Sequence, residues 1–182
     1  MKMSPLKRSI MAAVCIALGL VLPTAFHAIP NAGAIYLPMQ LPILVCGLAV
    51  GWSYGLVAGL VTPFLSSQFT GMPPGAALPG MMVELAVYGL VSGLMMRFIR
   101  TGKTYPDIYV SLIFAKLAGV IAAGTAKALI FSPGSYTAAA WAAGYFITAL
   151  PGIIIQLVFV PAVVYTLMKA RLIPVRYQRK PV

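Results

Sequence analysis

Thirteen lysines and arginines stand against only two acids, Glu84 and Asp107, on a background that is 61% hydrophobic. Most of the basic residues fall into three clusters: Lys2, Lys7 and Arg8; Arg97, Arg100 and Lys103; and Lys169, Arg171, Arg176, Arg179 and Lys180. A soluble domain carries about 25% charged residues, whereas this chain has 8%. That is too little polar surface to cover a water-facing globule, so the chain reads as an all-α integral membrane protein. Basic residues that flank apolar spans stay on the cytoplasmic side, and the three clusters therefore dictate a topology. In a soluble protein a net charge of +11 would suggest nucleic acid. Here the charges flank spans without aromatic-basic interleaving, so they read as anchors beside anionic lipid and no nucleic-acid partner is expected.

Apolar runs occupy about 9–27, 40–51, 54–69, 81–99, 108–131 and 139–168 of a single membrane domain, 1–182. A span needs about 20 residues at 1.5 Å rise each, so 40–69 is long for one crossing and short for two. Charge decides between them. With the N-terminus inside, a single crossing would put Arg97, Arg100, Lys103 and the basic C-terminus outside. A hairpin turning at Gly51-Trp52-Ser53 puts all three clusters inside. The expectation is six transmembrane helices with both termini cytoplasmic. The basic start and the apolar run from Ile10 to Leu22 resemble a signal peptide. The run continues to Phe26 with no small-x-small cleavage site, so it is taken as the first span. The last run, about 45 Å long if helical, has to tilt, kink or begin outside the hydrocarbon. Pro63 and Pro151 are expected to interrupt the third and sixth spans.

Three uncharged segments then face outward: Ala28–Met39, Thr70–Gly80 and Ser132–Ala138. The first is long for a connection, and it reads either as a lid over an outward pocket or as a passive connector. Small residues recur at spacing four in Gly47, Gly51, Gly55 and Gly59, in Gly89 and Gly93, and in Ala115, Gly119 and Ala123. Such spacing lets helix backbones approach closely in lipid. Ala13 and Ala17 form a similar pair, either packed internally or offered as a flat face to a partner.

Ionisable residues at membrane depth are expensive and mark functional candidates. Glu84, near the outer end of the fourth span, and Lys127, near the outer end of the fifth, fall in the same half of the membrane. They read as a ligand-holding pair or as a structural ion pair. Tyr88 lies one turn beyond Glu84 on the same face; Gln40 opens the second span, and Gln156 lies mid-way along the sixth. Trp141 and Tyr145 repeat the one-turn spacing, as an interfacial belt or, for Tyr145, as part of the pocket. Lys116 is expected to snorkel to the cytoplasmic side. His27, the only histidine, has no acid nearby and reads as a loop or interface residue. Cys15 and Cys46 read as buried free thiols. No catalytic triad, carboxylate pair, metal-ligand set or phosphate-cradling loop is present, so neither enzyme activity nor a cofactor is expected.

Five stretches carry a family resemblance: Leu37-Pro-Met-Gln-Leu-Pro-Ile-Leu-Val-Cys-Gly-Leu, Tyr54-Gly-Leu-Val-Ala-Gly-Leu, Thr70-Gly-Met-Pro-Pro, Glu84-Leu-Ala-Val-Tyr-Gly-Leu and Pro151-Gly-Ile-Ile-Ile-Gln-Leu. In these strings, over roughly residues 26 to 165, the chain resembles the substrate-binding S components of energy-coupling-factor (ECF) vitamin transporters. The resemblance implies a compact six-helix bundle in a bacterial or archaeal cell membrane. It implies a small water-soluble vitamin or precursor captured from outside under the first loop, and docking on a coupling subunit joined to two cytoplasmic ATPases. It places the docking surface at Ala13 and Ala17 and the pocket at Gln40, Glu84, Tyr88 and Lys127, with Tyr145 and Gln156 added as candidates from the residues themselves. Relatives of this kind often carry His where this chain has Gln40 and Arg where it has Val120. Pantothenate-type cargo suits Lys127, and pyridoxine- or hydroxymethylpyrimidine-type cargo suits Glu84.

Overall fold

Every described element is a helix. The structure, a computed structural model, describes residues 3–26, 31–131, 133, 136–175 and 177. In chain order the helices are α1 (Pro5–Ala25), α2 (Ala32–Tyr36), α3 (Gln40–Val50), α4 (Trp52–Thr70), α5 (Leu78–Phe98), α6 (Thr104–Ala126), α7 (Ala138–Ala142) and α8 (Leu150–Lys169). Two π-helical turns, Lys127–Phe131 and Ala143–Thr148, extend α6 and join α7 to α8. His27 lies outside the described residues.

Among the described residues five segments are long and apolar enough to cross a membrane: Pro5–Ala25, Ala32–Val50, Leu78–Phe98, Thr104–Phe131 and Leu150–Lys169. Trp52–Thr70 is of similar length, at 19 residues. It is not among the five because Trp52, Ser53 and Tyr54 at its start and Ser66, Ser67 and Gln68 at its end dilute its apolar middle.

Close backbone approach shapes the bundle. α5 is central and packs against α4, α6 and α3; α1 lies on α3 and α4, and α8 closes the other side of α3. At the α3–α4–α5 junction glycines meet main chain. A methyl group on Gly47 or Gly55 would run into the carbonyl of Gly89, and one on Gly59 into that of Leu85. Gly51 has another duty. Its φ of 125°, open to glycine alone at little strain, makes the turn from α3 into α4 where the sequence expects one. Around this junction Ile43, Leu44, Leu85, Tyr88, Ile108, Leu112, Val160 and Val164 are fully enclosed. α3 is apolar on nearly every side; among the five candidate spans the one that contains it is the most enclosed and α1 the least.

α1 starts at Ser4, whose hydroxyl accepts from the Lys7 amide at 3.3 Å, with Pro5 in the first turn. It buries Ala12, Cys15 and Gly19 and leaves Ala13 and Ala17 exposed beside Val14, Leu18 and Val21. Pro63 lies inside α4, as expected. Pro151 does not interrupt a helix: the long last run is already broken into α7, a π-helical turn and α8, and Pro151 sits in the first turn of α8, where no amide donor is missed. Pro161 is the proline inside that helix.

At the end of the bundle that carries Arg97, Arg100 and Lys103, Asp107 is fully buried. It accepts from the Thr101 amide at 2.8 Å and hydroxyl at 2.7 Å, and from the Tyr177 hydroxyl at 2.7 Å. The second acid thus ties the α5–α6 turn to the chain beyond α8.

Candidate functional site

At the opposite end, where α3 and α5 begin and α6 finishes, polar side chains from α3, α5, α6, α8 and a π-helical turn converge on one carboxylate. Glu84, two turns into α5, is 6% exposed. Its Oε1 accepts from the Tyr88 hydroxyl at 2.8 Å and from the Gln40 amide nitrogen at 2.9 Å. Its Oε2 accepts from the Tyr145 hydroxyl at 2.8 Å. Both carboxylate oxygens therefore have hydrogen-bond donors, as a buried polar group requires.

Gln40 faces two ways. Its amide nitrogen donates to the acid, while its Oε1 accepts from Lys116 Nζ at 2.7 Å and from Gln156 Nε2 at 3.1 Å. The amide dipole therefore lies between an anion and a cation with each pole toward its opposite charge. Lys116 also stands over the Tyr88 ring, 4.4 Å from its centroid, a cation–π contact that partly replaces lost hydration. Gln156 Oε1 is buried and has no donor among the described residues.

Glycines seat the two largest pieces. A methyl group on Gly119 would strike the Tyr88 ring, and one on Gly124 would strike the Trp141 indole. Trp141 Nε1 donates to the Val120 carbonyl at 3.2 Å. Trp141 and Tyr145 are both half-buried, and the polar atom of each ring has an acceptor within the bundle.

Lys127 takes a different place from the one expected of it. Its stem crosses Gly80, where an added methyl would come 2.6 Å from Cε. Its ammonium lies 5.7 and 5.8 Å from the ring centroids of Tyr136 and Tyr145. Glu84 is linked, through Gln40, to Lys116 instead. Lys116 does not snorkel toward the basic end, because a buried acceptor on α3 lies within its reach. The expected snorkelling of Lys116 is thus replaced by a buried hydrogen bond to Gln40. Tyr136, outside the spans, has its phenol pushed up, first by burial and then by the Glu84 carboxylate.

The described part of the first connecting segment, residues 31–39, packs against α8. Ala32 on α2 is buried, and Gly152 of α8 lies against the Ile35 carbonyl and the Leu37 side chain, at 2.6 and 2.9 Å from a methyl placed there. Among the described residues no group of three or more His, Cys, Asp or Glu side chains could hold a metal ion.

The structure thus holds one buried acid in a polar cluster within a bundle of apolar helices. The family model for the ECF transporter substrate-specific component matches residues 7–165. The chain belongs to that family. No curated protein and no solved structure matches it. As an S component it is a multi-pass membrane protein with a substrate-binding role in transport, and it is not an enzyme.

Proposed function

We propose that the chain captures a small water-soluble vitamin or vitamin precursor from outside the cell and delivers it by docking on a coupling subunit joined to two ATPases. The observation that carries this reading is the convergence of Gln40, Glu84, Tyr88, Lys116, Tyr145 and Gln156 at one end of the bundle. That end is opposite the one bearing Arg97, Arg100, Lys103, Lys169 and Arg171. Under the positive-inside rule the basic end is cytoplasmic, so the cluster opens outward. For this arrangement α4 has to cross as a sixth span; its 19 residues give about 28 Å of helix, near the hydrocarbon thickness. The exposed Ala13 and Ala17 offer a flat strip on α1 for the coupling subunit.

A second reading has its own support. Glu84 already accepts three hydrogen bonds from Gln40, Tyr88 and Tyr145, enough to seat it as the acid of a scaffold protein that only fixes helix register. Purified protein in nanodiscs tests both: saturable binding of one compound from a vitamin panel is expected for the capture subunit and is incompatible with the scaffold. In vesicles, uptake is expected only when the coupling subunit and ATPases are present with ATP. Uptake by the chain alone would instead mark a self-sufficient carrier.

A further inference from the structure

The charges at the outer end do not balance. Glu84 and Asp107 are the chain's only acids, and Asp107 is committed to Thr101 and Tyr177 at the far end. Glu84 is therefore the single anion available to two lysines. Through Gln40 it is coupled to Lys116. Lys127 receives no carboxylate among the described residues, only the faces of Tyr136 and Tyr145. Ring faces attract a cation but do not neutralise it, so the half-buried Lys127 has no anionic partner there. A second deficit lies deeper. Gln156 is 1% exposed, its nitrogen is bonded to Gln40, and its oxygen has no donor. Among the described residues the cluster thus leaves one cation without a carboxylate and one buried acceptor without a donor.

We propose, building on the capture reading, that the ligand is a small monoanion: a carboxylic acid whose carboxylate meets Lys127 and whose hydroxyl or N–H group donates to Gln156 Oε1. Tyr145 joins Lys127 to the polar cluster: its hydroxyl donates to Glu84 and its ring centroid lies 5.8 Å from Lys127 Nζ. Cationic vitamins would add to the positive excess, and neutral ones would leave it in place. This choice favours the acid-bearing class over the pyridoxine or hydroxymethylpyrimidine class.

The test is binding to the full chain in nanodiscs with matched pairs: pantothenate and panthenol, nicotinate and nicotinamide, biotin and its primary amide, with pyridoxine and thiamine alongside. One acid is expected to bind, with its neutral counterpart weaker by about 30-fold or more, as for loss of a buried charge partner. Lys127→Met should bring acid and neutral forms to within about threefold, and Lys127→Arg should keep most of the preference. A neutral or cationic compound that binds as tightly as any acid overturns the proposal while leaving the capture reading intact. So does an acid-to-neutral ratio unchanged in a folded Lys127→Met protein. Folded protein that binds no member of the panel counts against both.

Discussion

Gln40 organises the polar cluster because a carboxamide is a neutral side chain with an acceptor and a two-donor fork in one plane. Replacing it with an acid would repel Glu84, and replacing it with a hydrocarbon would leave Lys116 and Gln156 without their acceptor. The two charges it joins should therefore be energetically coupled although they do not touch. Glu84→Gln and Lys116→Met are each expected to lower stability by about 3 kcal/mol, since each strands a buried charge. The double variant should lose at least about 1 kcal/mol less than the sum of the two. Equilibrium unfolding in mixed micelles measures all three, and additivity would show that Gln40 does not couple them. Five of the six pocket residues expected from sequence, Gln40, Glu84, Tyr88, Tyr145 and Gln156, lie in this one network. Polar side chains in apolar runs announce themselves by composition. The partner lysine did not, for a geometric reason. Lys116 and Lys127 are eleven residues apart, close to three full turns, so both lie on one side of the fifth span. Only axial depth distinguishes them, and depth depends on how α3 and α5 slide past α6, which periodicity does not record.

Helix α6 meets α5 through two glycines whose missing side chains have different consequences. At Gly119 the neighbour is the Tyr88 ring, pinned by its hydroxyl to Glu84 and fully buried; at Gly80 it is the flexible stem of Lys127. Gly119→Ala should force the ring off its acceptor, destabilise the fold by about 1–3 kcal/mol and weaken ligand binding. Gly80→Ala should shift stability by under about 1 kcal/mol, because a long side chain finds another rotamer. Thermal unfolding with ligand titration of both variants checks this, and equal losses would mean that Tyr88 is not held as rigidly as its hydrogen bond implies. The small-residue spacing pointed to close approach, yet it could not say which glycines face backbone, which face a ring and which, like Gly51, turn the chain. The π-helical turns were less legible still. Lys127 and Tyr145 both sit on them. A switch to i→i+5 bonding leaves no mark in a run that is apolar throughout, although such turns are frequent at functional sites.

At the scale of the molecule, the chain separates its two acids to opposite ends and gives each a different surrounding. Asp107 sits among loop hydroxyls and an amide beside the basic clusters; Glu84 sits between two tyrosines and the Gln40 amide. Hydropathy supplied the helical class and the basic clusters supplied a direction. The sixth crossing rests on charge logic, because α4 is too diluted by polar residues at its two ends to declare itself by apolarity. Direction can be measured with single cysteines. Cys15 and Cys46 are buried, so replacing both with Ala provides a quiet background with little change in volume. Gly75, between α4 and α5, is exposed with nothing within 4 Å of a side chain placed there, and Arg100, between α5 and α6, is exposed as well. In intact cells Gly75→Cys should react with a membrane-impermeant maleimide, and Arg100→Cys should react only after the membrane is opened. The two sites lie at opposite ends of α5, so a correctly inserted bundle has to give opposite results. Labelling of Arg100→Cys from outside would turn the polar cluster toward the cytoplasm, where it could not capture an external nutrient. Labelling of both sites from outside would mean that α5 does not cross the membrane.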